Sequence, residues 1–227
     1  MRFYREQSLA DLQEFTREVY GVPDDRQYSL EDLLVQVQRF AMRALKGIRK
    51  ENPEKIKLNL TISILWQLAI ANRLHINLED EVWNRFPMLC SYCGKKPCEC
   101  QKVKVATRRK VRINHGLRPK TLSDLQHMFN EIYPDASRTL VDAGIHFAEE
   151  VGEVSEAIHH YTGQHLQKQF EEVKLEMADL ISCALGIGNS LGIDLGEEFA
   201  NMFNNNCHVC HGLPCTCNFT TISAIKT

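Results

Sequence analysis

The chain has 227 residues, of which 44% are hydrophobic and 25% charged, and its formal net charge is −2. This length accommodates two packed units of about 100 residues each, and the near-neutral charge argues against nucleic acid as a partner. The amino terminus lacks an apolar signal core and the apolar stretches are shorter than a membrane span, so we expect a cytoplasmic protein without membrane contact.

Four helices are predicted in the first hundred residues. Apolar residues recur there at helical spacing near 9–19, 29–49, 54–73 and 77–86. Ser29 and Asp32 have the spacing of a capping box at the start of the second helix. We expect the segment Gly21 to Pro23 to interrupt helical structure after the first helix. Strand signals are confined to the linker described below and to the tail at Phe219 to Ile222, so the sequence predicts an all-α protein.

Eight of the nine cysteines form two modules with the same spacing, Cys-x2-Cys-x4-Cys-x-Cys. Four thiolates suit one tetrahedral zinc ion per module, and because no ligand position is left over, we expect the zinc to be structural. Redox thiols or an iron–sulfur cluster are the alternatives, and His208 or His211 could replace a thiolate. The ninth, Cys183, follows the apolar pattern of a core helix. The predicted zinc ligands are Cys90, Cys93, Cys98, Cys100, Cys207, Cys210, Cys215 and Cys217.

Residues 101–120 read as a basic linker, with eight lysines and arginines and no acidic residue. A solvated connector is one interpretation and a contact with a polyanion is the other, since a basic run attracts phosphates. Alternation in Val103, Val105 and Val111 to Ile113 could also form a short strand.

Four further helices are predicted near 122–131, 138–160, 168–190 and 194–204, with a break at Tyr133 and Pro134. Two of them carry paired acids three residues apart, which lie on one face of a helix. These acids are Glu150 with Glu153 and Glu176 with Asp179. If the two helices pack antiparallel, four carboxylates converge, and such a group repels itself unless a hard cation such as magnesium neutralises it. The alternative is a solvated acidic face, but the residues after Asp179 are too apolar for a surface helix.

This acidic pattern, with 22 residues between its two pairs, resembles the signature of the MazG-like all-α nucleoside triphosphate pyrophosphohydrolases. The resemblance covers about residues 121–206 and includes the flanking text Phe147 to Ile158 and Leu191 to Leu195. It implies an enzyme that uses magnesium, or manganese, to cleave a (d)NTP into (d)NMP and pyrophosphate in nucleotide-pool housekeeping. It also implies that the four acids hold the metal and that Glu149 orients or deprotonates the attacking water.

The chain contains this unit twice. Leu74 to Leu78 matches Leu191 to Leu195, the two cysteine modules follow in the same register, and Leu9 to Gln13 matches Leu122 to Gln126. Internal repetition divides the chain into a degenerate repeat with its zinc module (1–100), the linker (101–120), a repeat with the acids and its own module (121–217), and a tail (218–227).

The first repeat has lost the acids of the second. Glu176 and Asp179 correspond to Asn59 and Ile62, and the alignment places Arg39, Phe40 and Arg43 opposite Glu149, Glu150 and Glu153. The first repeat therefore cannot hold the same metal.

Because MazG-like units pair into dimers, the resemblance implies a fused pseudo-dimer in which basic residues of the first repeat clamp the triphosphate. Arg85 stands opposite Met202, where relatives commonly carry a lysine, and could compensate for it. The fused pair could act alone or form a further homodimer. The tentative phosphate contacts are Arg39, Arg43, Lys46, Arg85, Lys168 and Asn206.

A second hypothesis is a non-catalytic protein, either a nucleotide sensor or a zinc-stabilised scaffold. The degenerate first repeat, the two cysteine modules and the basic linker favour it. Release of pyrophosphate in the presence of magnesium distinguishes the two hypotheses.

Overall fold

The computed structural model describes residues 1–100, 102 and 107–218, which contain eight α-helices and no β-strand. The all-α prediction is thus confirmed for this part of the chain, and Val111 to Ile113 form no strand. Val103, Val105 and the tail at Phe219 to Ile222 lie outside the described residues. None of the described helices has the length and apolar character needed to cross a membrane. The helices are α1 (Leu9–Gln27), α2 (Leu30–Arg49), α3 (Pro53–Arg73), α4 (Leu78–Arg85), α5 (Leu122–Ile132), α6 (Leu140–Gln164), α7 (Gln167–Leu191) and α8 (Leu195–Met202).

Side-chain caps set several helix starts. The capping box predicted at Ser29 is confirmed: its hydroxyl accepts from the backbone N–H of Asp32, whose carboxylate accepts from the backbone N–H of Ser29. Each such box satisfies two backbone donors that a helix start would leave unpaired. The same reciprocal pair occurs at Ser8 with Asp11, Thr121 with Asp124, and Thr139 with Asp142.

The predicted break at Gly21 to Pro23 is wrong, because α1 continues through a buried Pro23 to Gln27. A proline inside a helix lacks the N–H that would bond to the carbonyl four residues earlier, here that of Val19. That carbonyl instead accepts the backbone N–H of Cys215 at 2.7 Å. A residue distant in sequence therefore supplies the missing hydrogen bond and removes much of the cost of the proline. The break predicted at Tyr133 and Pro134 is confirmed, since α5 ends at Ile132.

Two helical hairpins form the centre of the molecule. Helix α2 packs along α3, α6 packs along α7, and α2 contacts α6 across the middle. One polar contact on that seam joins Gln38 Nε2 to Ser155 Oγ at 2.9 Å. The buried apolar side chains form one cluster that includes residues of both halves.

Each half contains an equivalent hydrogen-bond network, centred on Gln13 in the first half and on the aligned Gln126 in the second. Gln13 Nε2 donates to Asn72 Oδ1 and to the carbonyl of Ile76, and its Oε1 accepts from the backbone N–H of Leu78. Gln126 makes the same three bonds, to Asn189, Ile193 and Leu195. The repeated sequence segments therefore have the same structural role in each half.

The carboxy-terminal end of each half packs on the other half. Helix α4 lies against α7, and α8 contacts α3 as well as α5. Each cysteine module also bonds to the other half. The backbone N–H of Cys98 donates to the carbonyl of Ile132, and the backbone N–H of Cys215 donates to the carbonyl of Val19. As a result, α4 and the first cysteine module cover the acidic helices of the second half.

Candidate functional site

Three of the four predicted metal acids converge between α6 and α7. Glu150 and Glu153 lie one turn apart on α6, Glu176 lies on α7, and one oxygen from each falls within 4.8 Å of the others. The packing of α6 against α7 brings Glu150 and Glu153 to Glu176, which is three of the four carboxylates that the sequence predicted to converge. Such a group can hold a cation, because oxygen ligands are those that hard divalent ions prefer.

The electrostatics of this acidic cluster (Glu150, Glu153 and Glu176) show carboxylates held against their mutual repulsion. Burial, followed by the charges of Asp179, Glu153 and Glu150, raises the pKa of Glu176 to about 7. Burial and the charge of Glu150 also raise the pKa of Glu153. Glu150 is 8% exposed, and its Oε2 accepts no hydrogen bond from the described residues. A bound cation would relieve both the repulsion and the unsatisfied oxygen.

The fourth predicted acid, Asp179, is engaged by an arginine of the first half. Arg85 Nε donates to Asp179 Oδ1 at 2.9 Å, and Arg85 Nη2 donates to Asp179 Oδ2, which makes the ion pair bidentate. Arg108 of the linker also approaches, with its Nη2 3.9 Å from Asp179 Oδ2. Sequence reasoning selected both Arg85 and Asp179, but it did not predict that they bind each other.

A cavity of about 370 Å³ opens beside these acids. Its walls come from α6 and α7, from the loop before α6, and from the first cysteine module, which contributes Tyr92. Arg108 lies over the Tyr92 ring, with Cζ 4.5 Å from the ring centroid and Nη2 3.2 Å from the hydroxyl oxygen. The first half thus contributes part of the wall around the acids of the second half.

Arg138 is a cavity residue that sequence reasoning missed. Its guanidinium lies directly over Gly186 of α7, where an added Cβ would come 2.1 Å from Arg138 Nη2. Its Nε is buried and finds no acceptor among the described residues. Nothing in the local sequence distinguishes Arg138, because its position depends on a glycine 48 residues away.

His146 is the second missed residue. Its Nε2 lies 3.1 Å from Glu150 Oε1, and its Nδ1 lies 3.5 Å from Cys183 Sγ. Hydrogen bonds to Cys183 and to Glu150 raise the pKa of His146 to about 10. Its spacing four residues before Glu150 was a signal in the sequence, since such residues are neighbours on a helix. Cys183, expected in the core, is buried but lines the cavity.

Three further predicted site residues, namely Glu149, Lys168 and Asn206, lie outside the acidic cluster. Glu149, the predicted base, is exposed on α6, and Lys168 is exposed with its Nζ 3.9 Å from Glu172. Asn206 accepts a hydrogen bond from the amino terminus and donates to the carbonyl of His211 at 3.1 Å. Its side chain is thereby engaged in holding the chain end.

The basic residues predicted on α2 lie along the first half. The Cζ atoms of Arg39 and Arg43 lie 5.1 and 5.4 Å from the centroid of the Phe40 ring. Lys46 lines a shallow depression together with residues 139–141, at the start of α6. Arg85 is thus the predicted phosphate contact for which the structure records an ion pair with a site acid.

The counterpart of the acidic site in the first half is apolar. Phe40 and Ile62, which align with Glu150 and Asp179, are buried and line a small cavity of about 60 Å³. Trp66 and cysteines of the second module complete this wall. Apolar side chains therefore stand where the second half has two of its acids.

Both cysteine modules could hold a metal such as zinc. Each brings four sulfurs within 4.8 Å of one another, and none of the nine cysteines forms a disulfide. Neighbouring Sγ atoms are 3.5 to 4.0 Å apart in the first module and 3.4 to 3.9 Å apart in the second. A tetrahedron with zinc–sulfur bonds of about 2.3 Å has edges of about 3.8 Å, so the sulfurs already stand near the required spacing.

Backbone groups in the modules also favour the thiolate form that binds metal. The N–H of Glu99 points to Cys93 Sγ, and that of Thr216 points to Cys210 Sγ. The hydrogen bond between Cys207 and Cys215 lowers the pKa of Cys207 and raises that of Cys215, so Cys207 is the thiolate of this pair. His208 is engaged elsewhere, with its Nδ1 3.1 Å from the Tyr20 hydroxyl oxygen.

Comparisons of this chain with protein-family models, with curated proteins and with solved structures found no match. The MazG-like assignment therefore stays a prediction based on the acidic pattern and its flanking residues. The chemistry of the site follows from its own groups, which are three convergent carboxylates, an aspartate paired with Arg85, and Arg138 in the wall of the cavity.

Proposed function

We propose that this chain is a magnesium-dependent nucleoside triphosphate pyrophosphohydrolase, which cleaves a (d)NTP to (d)NMP and pyrophosphate. The observation that carries the proposal is the convergence of Glu150, Glu153 and Glu176 beside a cavity lined by arginine. Carboxylates suit a hard cation, and arginines suit phosphate oxygens, so both requirements of a metal–triphosphate complex are present in one place.

The acidic cluster fits magnesium. Glu150 has a buried oxygen without a hydrogen-bond partner in the described part of the chain. The raised pKa of Glu176 reflects burial and, after it, the charges of neighbouring carboxylates, which a cation would offset. Manganese has similar ligand preferences and would be held by the same groups. When bound, the ion would neutralise phosphate charge and lower the pKa of a coordinated water.

Asp179 takes a different part from its three neighbours, because it anchors Arg85. A bidentate carboxylate holds a guanidinium in a fixed orientation. Arg85 then presents a cation from the first half at the edge of the site. Substrate phosphate can take over this guanidinium, which would free Asp179 to join the other acids.

Arg138 and Arg108 are the candidates for binding the outer phosphates. Arg138 lines the cavity with an Nε that is unpaired within the described residues. Arg108 lies over the ring of Tyr92, which lines the cavity, and its Nη2 is 3.9 Å from Asp179 Oδ2. An unsatisfied buried guanidinium N–H is costly, and a phosphate oxygen would satisfy it. These two residues replace Lys168 and Asn206 as our preferred phosphate contacts.

The attacking water needs a base within hydrogen-bond reach. Glu149 remains our prediction for this role, because it neighbours Glu150 on α6 and its carboxylate is exposed to solvent. The substitution Glu149→Gln should then lower kcat more than it raises KM.

The test is incubation of purified protein with magnesium and a panel of NTPs and dNTPs, with separation of the nucleotide products and pyrophosphate. We expect monophosphate and pyrophosphate from the parent, with little product from a Glu176→Gln, Asp179→Asn double variant. The matched control is Glu156→Gln, which changes an exposed acid on the neighbouring helix α6. Equal turnover by the double variant and the parent would refute the proposal.

A nucleotide sensor or scaffold is the second candidate, and the Arg85–Asp179 pair favours it. In the described structure one of the four acids is neutralised by an arginine, as expected of a site that binds nucleotide without turning it over. Nucleotide binding without pyrophosphate release, measured by calorimetry beside the turnover assay, would favour this alternative.

A further inference from the structure

A nitrogen, an oxygen and a sulfur donor meet on the cavity side of α6 and α7. They belong to His146, Glu150 and Cys183, and one atom from each lies within 4.8 Å of the others. His146 Nδ1 lies 3.5 Å from Cys183 Sγ, and His146 Nε2 lies 3.1 Å from Glu150 Oε1; one of these two ring nitrogens would bind the ion. We propose that these three residues form a third site for a thiophilic divalent cation such as zinc, separate from the two cysteine modules.

The donor set decides the class of metal. Zinc binds imidazole nitrogen, thiolate sulfur and carboxylate oxygen together, whereas magnesium binds oxygen almost exclusively. The acidic cluster offers oxygen alone, so this site and the cluster select different ions even though both use Glu150.

A second observation, which the acidic cluster shares, points to a cation beside Glu150. Glu150 is 8% exposed, yet its Oε2 has no hydrogen-bond partner among the residues described. The contact with His146 involves the other carboxylate oxygen, Oε1. The hydrogen bond from His146 therefore leaves Glu150 Oε2 unsatisfied. A cation held by all three side chains would use it.

The site also has the open side that a reactive or exchangeable metal needs. Three protein ligands leave one tetrahedral position free, as in zinc sites that exchange water or bind substrate. His146, Glu150 and Cys183 all line the cavity of about 370 Å³, and the His146 side chain is 55% exposed, so an ion can enter from solvent.

Occupation of this site would remove Glu150 from the acidic cluster. If the proposed hydrolase activity exists, zinc should therefore inhibit it in competition with magnesium. This consequence rests on the proposed function, but the existence of the metal site does not.

The test uses cobalt(II) as the probe and needs no substrate. Protein is loaded with two equivalents of zinc per chain, which the two four-thiolate modules take in preference to a site with three ligands. It is then titrated with cobalt in the presence of excess magnesium, and thiolate-to-cobalt charge transfer is followed in the near ultraviolet. The sequence has nine cysteines, eight of them in the modules, so new charge transfer outside the modules must come from Cys183. The readout is the difference between the parent and Cys183→Ser, which cancels any exchange into the modules.

We expect one cobalt-dependent band per chain in the parent, no such difference band in Cys183→Ser, and cobalt affinity at least about tenfold weaker in His146→Gln. His160→Gln is the matched control, because His160 forms a similar i, i+4 pair with Glu156 on the same helix, with 3.9 Å between Nε2 and Oε1. It should bind cobalt as the parent does. Parent and Cys183→Ser spectra that are identical would overturn the proposal, as would unchanged affinity in His146→Gln.

Discussion

Arg85 of the first half donates two hydrogen bonds to the carboxylate of Asp179 in the second half, 94 residues away in sequence. The side chains are 5% and 14% exposed, so this is a largely desolvated ion pair. It joins α4, the last helix of the degenerate repeat, to the helix that carries two of the predicted metal acids. The pair therefore couples the packing of the two halves to the state of the acidic site.

Breaking this pair from one side should be costly. Arg85→Met introduces the residue found at the equivalent position 202 and leaves Asp179 without its partner. We expect a loss of about 2–4 kcal/mol in the free energy of unfolding, measured by chemical denaturation, because the loss of one partner leaves a buried charge unpaired.

Two further variants test this explanation. Adding Asp179→Asn to Arg85→Met should recover part of the loss, since the uncompensated charge is gone. Arg17→Ala, which breaks an exposed ion pair with Glu14, should cost much less stability than Arg85→Met, because solvent screens the exposed pair. A double variant as unstable as the sum of its two singles would show that Arg85 acts through packing and not through Asp179.

Gly186 should matter for ligand binding more than for stability. A Cβ added there would come 2.1 Å from the end of the Arg138 side chain, which is flexible enough to move away. We expect Gly186→Ala to leave the free energy of unfolding within about 1 kcal/mol of the parent, since alanine favours a helix and offsets the disturbance.

The same substitution should weaken nucleotide binding about tenfold or more, because it displaces a guanidinium that would contact phosphate. Calorimetry with a non-hydrolysable triphosphate analogue would measure the effect, and Arg138→Gln should reproduce it. Gly152→Ala is the matched control on α6, where an added Cβ meets nothing within 4 Å. Wild-type affinity in Gly186→Ala would remove Arg138 from the phosphate site.

The raised pKa of Glu176 predicts a pH-dependent effect of metal on stability. Its value is about 7 in the folded protein against 4.5 ordinarily, so the folded state holds the proton more tightly than the unfolded state. Stability of the metal-free protein should therefore fall as the pH rises through this interval, and magnesium should restore it above pH 7 but not near pH 5.

Glu176 is about half buried, so solvent screening limits the effect to about 1 kcal/mol, or about 3 °C in Tm. Thermal scans at both pH values, with and without magnesium, would measure it. In Glu176→Gln the pH-dependent part should disappear. Magnesium stabilisation of equal size at both pH values would contradict this explanation.

Disruption of the two cysteine modules should have different consequences. Cys90 and Tyr92 of the first module line the cavity beside the acids, whereas Cys207 and Cys215 of the second line the apolar pocket of the first half. If each module binds zinc as we expect, loss of the ion should destabilise it, because metal binding is coupled to folding. We expect Cys90→Ser with Cys93→Ser to weaken nucleotide binding at temperatures where the protein remains folded.

Cys207→Ser with Cys210→Ser is the corresponding change in the second module. It should lower Tm by several degrees while leaving nucleotide affinity within about threefold of the parent, because that module lines the apolar pocket of the first half and not the cavity beside the acids. Metal content by elemental analysis should fall by one zinc in each variant. Equal losses of nucleotide affinity in both would show that the modules act through global stability.

The sequence determined most of the helical architecture, because helix formation depends on local patterns. The predicted helices near 29–49 and 54–73 correspond closely to α2 and α3, and the capping box at Ser29 forms as its spacing indicates. The convergence of Glu150, Glu153 and Glu176 was also predictable, since residues three apart share a helix face and consecutive helices commonly pack antiparallel.

Tertiary structure alone decided the rest, because the deciding partners are far apart in sequence. The continuation of α1 through Pro23 depends on the backbone N–H of Cys215, and the state of Asp179 depends on Arg85. The position of Arg138 likewise depends on the missing side chain at Gly186. A local sequence pattern specifies the helix face on which a residue lies. Only the packing of the two halves against each other specifies which charged side chain lies next to it.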